Sequence, residues 1–171
     1  MKKALLIIDM LNDFILEGAP LQVPNAKKII PNIKREIEKA RKVGYPIIYI
    51  CDAHDEDDVE FEIWPKHCVK NTKGAMIVDE LSPSKDDYIV EKTRYSGFFN
   101  TNLENILKDL KIDTIIVTGL VTNICVMYTV ADAVSYGYKV LVPKDCIVGL
   151  DEKTHEFGMY QLEKVHNVEL I

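Results

Sequence analysis

In Thr114-Ile115-Ile116-Val117-Thr118-Gly119-Leu120-Val121-Thr122-Asn123-Ile124-Cys125-Val126, a β-branched apolar run gives way at a glycine to the start of a helix. The first five residues read as a strand buried on both faces, as the interior of a parallel sheet requires. Gly119 ends that strand. Thr122 or Asn123 has the side chain to cap a helix running to about Tyr136, where Gly137 stops it. Asp132 is its one charged residue, so a helix carrying Ile124, Met127, Val130, Ala131 and Val134 is buried in the core or at a subunit contact, and we expect a homo-oligomer. Cys125 then lies beside unpaired backbone N–H groups at the positive end of a helix dipole. Such a place lowers a thiol pKa, and the same N–H groups can hold an oxyanion. The competing reading of Cys125 is one more small core residue.

The flanking sequence repeats the pattern. Lys3 to Asp9 is an apolar run that ends in a carboxylate, and Pro46 to Asp52 is another. Tyr88 to Lys92 forms a third strand ending in a lysine, Tyr138 to Val142 a fifth and Val168 to Ile171 a sixth. Apolar residues at helical spacing mark helices from Asn25 to Val43, from Asn100 or Thr101 through Leu110, and from Thr154 to Val165, with Pro31 placed to kink or restart the first. Strands alternating with helices imply an α/β fold, a doubly wound parallel sheet of about six strands with helices on both faces. At 171 residues the chain is expected to be one domain.

A net charge of −6 and the lack of a basic run argue against nucleic acid or an anionic membrane as partner and leave small-molecule chemistry. The N-terminal apolar stretch is broken by Asp9, too early for a signal peptide or membrane span, so the expected location is the cytoplasm. Cys51, Cys68, Cys125 and Cys146 lie far apart and are expected to be free thiols.

Ligands of doubly wound sheets bind beyond the C-terminal strand ends. Here those ends carry Asp9, Asp52 with His54 two residues on, Lys92, and the Cys125 turn. Strand alternation puts Asp52 and His54 on one side and Cys51 on the other. The acidic run from Asp55 to Glu62 reads as a solvated loop, and Trp64-Pro65-Lys66-His67-Cys68 closes it. Taken singly, Asp9 is a loop cap, Lys92 a solvated strand end, and His54 and His67 surface histidines. Four reactive strand ends on one edge favour a thiol enzyme instead.

Asp9-Met-Leu-Asn-Asp13-Phe14, Lys92 ahead of Ser96-Gly97-Phe98, and Gly119-Leu-Val-Thr-Asn-Ile-Cys125-Val together resemble the isochorismatase-like cysteine hydrolases over nearly the whole chain. Asp52-Ala-His54 with Trp64-Pro-Lys-His67-Cys68-Val is similar to the nicotinamidase (pyrazinamidase) branch in particular. Leu11 stands where the family usually has glutamine. The resemblance implies a triad of Asp9, Lys92 and Cys125, with an oxyanion hole from the backbone N–H groups of Thr122 and Cys125 after a cis peptide between Val121 and Thr122. It implies a small-molecule amide substrate, nicotinamide, hydrolysed in NAD salvage, with Phe14, Trp64 and Val121 around the ring. It further implies a divalent metal, zinc or else iron or manganese, on Asp52, His54 and His67, with Glu60 as a further ligand and Glu62 nearly as well placed. Two rivals remain. One is a hydrolase of another small amide or carbamoyl compound. The other is a non-catalytic zinc-binding protein with Cys51, His54, His67 and Cys68 as ligands.

Overall fold

The computed structural model describes all of residues 1–171. Its strands are β1 (Lys3–Ile8), β2 (Ile47–Asp52), β3 (Tyr88–Lys92), β4 (Thr114–Leu120), β5 (Lys139–Val142), β6 (Ile147–Val148) and β7 (Glu169–Leu170). They form one parallel sheet in the order β3-β2-β1-β4-β5-β7, with β6 paired to the end of β4. The helices are α1 (Asn12–Ile15), α2 (Ala26–Val43), α3 (Leu103–Asp109), α4 (Met127–Ser135) and α5 (Glu152–Tyr160).

Alternation along the strands builds a core on each face. Leu5, Ile7, Ile47 and Tyr49 point to one face, where Ile29, Ile33, Ile37 and Ala40 of α2 cover them. Ala4, Leu6, Ile8, Ile48 and Ile50 point to the other, under Leu103 and Leu107 of α3 and Val130 and Ala133 of α4. The chain winds outward from β1 in one direction through β2 and β3, then returns to β4 and winds the other way. Adjacent β1 and β4 are therefore the switch point, and the loops leaving their C-terminal ends diverge to open a crevice.

Several expectations shift. Gly119 does not end β4, which continues to Leu120, because its φ of +110° lets the backbone pass Ile8 so closely that a Cβ would lie 2.0 Å from Ile8 O. The extra residues pair with β6, a strand too short to carry a periodic signal. The cis peptide lies between Leu120 and Val121, one bond earlier than the resemblance implied. Neither Thr122 nor Asn123 caps the next helix; Thr122–Val126 is a π-helical turn that runs directly into α4, with Val121 at its start. α2 passes unbroken through Pro31, whose lost N–H bond falls on the exposed face beside Lys27. α5 begins two residues before Thr154, capped by Asp151, whose side chain accepts from Thr154 N at 2.8 Å. The acidic run is only half solvated, since Glu60 is buried and Asp58 turns inward. Leu11 is fully buried in the α2-side core. All four cysteines are free and buried.

Candidate active site

Sheet register brings the first charges together. Asp52 and Lys92 are direct partners across β2 and β3. Asp9, just past β1 in left-handed backbone at φ +53°, turns its carboxylate toward them, and Oδ1 accepts from Asp52 N at 2.9 Å. Lys92 Nζ lies 2.9 Å from Asp9 Oδ2 and 3.4 Å from Cys125 Sγ, and also donates to Asp52 Oδ1. Asp9 Oδ2 makes no aligned hydrogen bond, so it keeps a lone pair for a proton. A carboxylate oxygen of Asp9, one of Asp52 and Cys125 Sγ all lie within 4.8 Å of one another.

Burial and like charge set the proton positions. Burial, then the charge of Asp52, raises the Asp9 carboxyl to about 6 against the pull of Lys92. Burial would raise Asp52 too, but the Lys92 ammonium beside it holds it well below the carboxylate range. Burial opposes the charge on Lys92, and the two carboxylates beside it outweigh that and push its pKa up. Cys125 reverses the expectation from its helix terminus: burial pushes the thiol well up, Asp9 and Asp52 add to this, and Lys92 opposes it. The resting pair is a thiol facing a carboxylate, with a lysine in place to stabilise the thiolate once the proton moves.

In the turn after β4, Val121 O accepts from the N–H groups of Ile124 and Val126 at 3.0 and 3.3 Å, which fixes the backbone on either side of Cys125. Behind Lys92, Ser96 Oγ donates to Asp132 Oδ2 at 2.5 Å and Gly97 N donates to Thr129 Oγ1 at 2.9 Å. These bonds tie the lysine loop to α4, and they give the single charge of that helix its partner.

Asp52 Oδ2 faces the other way, 3.7 Å from His54 Nε2 and 3.8 Å from His67 Nε2. His67 Nδ1 lies 2.7 Å from Pro65 O, which can only accept, so that nitrogen carries the proton and Nε2 presents its lone pair. His54 Nδ1 lies 3.1 Å from Asp58 Oδ2, and its buried Nε2 has no partner. One carboxylate oxygen and two imidazole lone pairs thus converge within 4.8 Å, each ring steadied at its far nitrogen. Such a donor set fits a divalent metal and leaves coordination positions open. Glu60 is buried in the adjacent cleft wall but outside this cluster, and Glu62 is exposed. Cys51 and Cys68 belong to the α2-side core and take no part, which removes the geometry of the four-ligand structural site.

Above Cys125 opens a narrow, mostly apolar cleft. Phe14, Trp64, Tyr95, Val121, Ile124, Leu120 and Leu150 wall it, Asp9, Asp52, Glu60 and His67 reach it, and no lysine or arginine does. Trp64 Nε1 donates to Tyr95 OH at 3.1 Å, and Phe14 packs on His67 with ring centroids 5.5 Å apart. Of the residues singled out from the sequence, Asp9, Phe14, Asp52, Glu60, Trp64, His67, Val121 and Cys125 line this crevice, Lys92 and His54 lie behind it against Asp52, and Thr122, Glu62, Cys51 and Cys68 do not line it. Asp58 and Tyr95 were not singled out. Asp58 carried a faint signal, four residues after His54, but it lies in the acidic run; Tyr95 had none.

Residues 3–169 match the isochorismatase domain family, and the chain belongs to it. Its relatives include amide-cleaving enzymes such as the ureidoacrylate amidohydrolase of Agrobacterium fabrum, 32% identical over 97% of this chain and 82% of its own length. An isochorismatase-like hydrolase from Alkaliphilus metalliredigens is similar at a TM-score of 0.95 and 39% identity, over 99% of this chain and 94% of that one. N-carbamoylsarcosine amidase from Thermoplasma acidophilum follows at 0.90 and 37%, over 99% and 95%. A pyrazinamidase of Pyrococcus horikoshii in complex with zinc aligns at 0.94 and 31%, over 100% and 99%.

Proposed function

We propose that the chain hydrolyses nicotinamide to nicotinate and ammonia, with Cys125 as nucleophile. The observation that carries this reading is the convergence of Asp52 Oδ2, His54 Nε2 and His67 Nε2 beside the Cys125 cleft. Those three residues would hold the metal, zinc or else iron or manganese. When bound, it would offer an open position to the pyridine nitrogen and draw electron density from the ring. Phe14, Trp64 and Val121 flank the ring, and Glu60 shapes the wall nearby.

In the reaction Asp9 takes the Cys125 proton, and Lys92 stabilises the thiolate. Sγ attacks the carboxamide carbon, and the carbonyl electrons move onto oxygen. With the cis bond one residue earlier than expected, the oxyanion donors move with it from Thr122 and Cys125 to the N–H groups of Val121 and Cys125, both of which line the cleft. Collapse breaks the C–N bond as Asp9 returns its proton to nitrogen, so ammonia leaves and a thioester remains. Asp9 then removes a proton from water, whose oxygen attacks the thioester carbon. The C–S bond breaks, nicotinate leaves and Cys125 is protonated again.

The similarity to N-carbamoylsarcosine amidase supports a second reading, hydrolysis of a carbamoyl compound. No lysine or arginine lines this cleft to pair with the carboxylate of such a substrate, whereas the Asp52, His54 and His67 donor set suits a ring nitrogen on a metal. Ammonia release from nicotinamide, benzamide and N-carbamoylsarcosine, with and without chelator, tests both. The expected result is nicotinamide turnover that chelation lowers, with benzamide cleaved at least about tenfold more slowly, because it has no ring nitrogen to bind. Equal rates on benzamide, or purified protein without a divalent metal, would overturn the metal-guided reading.

A further inference from the structure

Asp58 lies outside both the cleft lining and the three-residue metal cluster, yet its side chain is only 8% exposed and both its oxygens are taken. Oδ1 accepts from Glu60 N at 2.9 Å and from Arg94 Nη1 at 3.0 Å. Oδ2 lies 3.2 Å from the same guanidinium nitrogen and 3.1 Å from His54 Nδ1. Arg94 stands two residues past Lys92, so a second segment of chain holds the carboxylate in place. The Glu60 bond opens the turn Val59–Glu62, which sets Phe61 edge-on against the rings of His54 and His67, with centroids 5.4 and 5.7 Å away. A carboxylate beside a guanidinium is ionised and can only accept, so the neutral His54 ring must carry its proton on Nδ1. Nε2 is then the lone-pair nitrogen; it is buried without a partner and faces Asp52 Oδ2 at 3.7 Å.

We propose that Asp58 is a positioning residue for the metal centre, which keeps the His54 proton on Nδ1 and so presents the Nε2 lone pair beside Asp52 and His67. The inference rests on the reading of Asp52, His54 and His67 as metal ligands. An imidazole protonated on Nε2 has no lone pair there to give a metal, so the tautomer decides whether His54 can ligate. A carboxylate on the far nitrogen also fixes the ring's orientation and raises the basicity of the ligating one. Asp58 does not line the cleft, so it acts on a substrate only through the metal.

The test uses Asp58→Asn, which keeps the size of the side chain and changes what it offers. The Glu60 N–H and Arg94 both donate at the Oδ1 position and hold the amide oxygen there, so the amide nitrogen faces His54 and donates to Nδ1. The His54 proton then moves to Nε2. Nitrogen NMR of the imidazoles in metal-free protein, in alkaline buffer where the rings are neutral, should show His54 protonated on Nδ1 in the wild type and on Nε2 in the variant. His67, whose Nδ1 faces Pro65 O, keeps its tautomer in both and serves as internal reference. Zinc titrated against a chromophoric chelator should bind the variant about tenfold to a hundredfold more weakly, while the metal-free proteins melt within a few degrees of each other. Weaker zinc binding with an unchanged His54 tautomer would mean that Asp58 only holds the loop, and would overturn the proposal. A tautomer shift with zinc affinity within about threefold of wild type would overturn it as well. Both readouts are taken without substrate, which separates this inference from the functional reading. A protein that shows the tautomer shift and the loss of zinc affinity, yet leaves nicotinamide intact, sustains the role of Asp58 and ends the nicotinamide reading.

Discussion

Asp9, Asp52 and Lys92 stand at the ends of β1, β2 and β3, where ladder register fixes their backbones: Asp52 faces Lys92 directly, and Asp52 N bonds Asp9 Oδ1. Phe14, Trp64, His67 and Tyr95 reach the same crevice from α1 and from loops without strand neighbours, and single bonds such as Trp64 to Tyr95 or His67 to Pro65 place them. Asp52 belongs to both regions, with Oδ1 in the charge cluster and Oδ2 toward the two histidines. The strand-built region pins its groups through the sheet, so damage there costs both chemistry and folding. The loop-built region rests on few contacts, so damage there alters binding and leaves the fold.

The largest effect is expected where the two regions meet. Cys125→Ala removes the nucleophile and little else, since alanine suits a buried helical turn. Amide hydrolysis should fall at least about a thousandfold, with a melting temperature close to wild type. Retention of a tenth of the activity in the folded variant would refute a covalent route.

Lys92→Met breaks the strand-built region from within. It leaves Asp9 and Asp52 buried side by side without their cation, a loss of about 3–5 kcal/mol, which corresponds to about 10 °C in Tm for a chain of this size. Asp9→Asn added to Lys92→Met removes one of the unpaired charges and should recover part of that loss. A thermal melt of both variants decides it, and a Lys92→Met protein as stable as wild type would show that the cluster is not held by its charges.

The same division governs what was legible in the amino-acid order. Continuous apolar runs and helical spacing located six of the strands and the main helices, and the carboxylates, lysine and cysteine at strand ends followed from that pattern. Strand β6 was hidden because two residues carry no period, and Gly119 misled because its role is close approach to Ile8 rather than termination. Asp58 was hidden by its neighbours: acid follows acid from Asp55 to Asp58, and only the fold separates the one bonded to His54 from those in water. The Cys125 pKa was misjudged because the helix terminus is visible in sequence, whereas the depth of burial and the two nearby carboxylates that oppose it are not. Arg94 was unreadable, since its partner Asp58 lies 36 residues away and no motif links them.

The smallest expected effect tests the loop-built region. Tyr95 OH accepts the Trp64 indole N–H at 3.1 Å, and both rings line the cleft. Tyr95→Phe keeps the ring and its packing on Tyr128, whose centroid is 5.6 Å away, and removes only the acceptor. The indole then loses one bond of about 1 kcal/mol and samples more orientations. Ground-state and transition-state binding of the aromatic ring should weaken together, because the ring does not change during acyl transfer. KM for nicotinamide should therefore rise about threefold to fivefold with kcat within about twofold of wild type, the signature of lost uniform binding. Steady-state kinetics on Tyr95→Phe give both numbers. A loss confined to kcat would mean that the aromatic wall orients the reacting carboxamide, and the division between a region that does the chemistry and one that only binds would have to be redrawn.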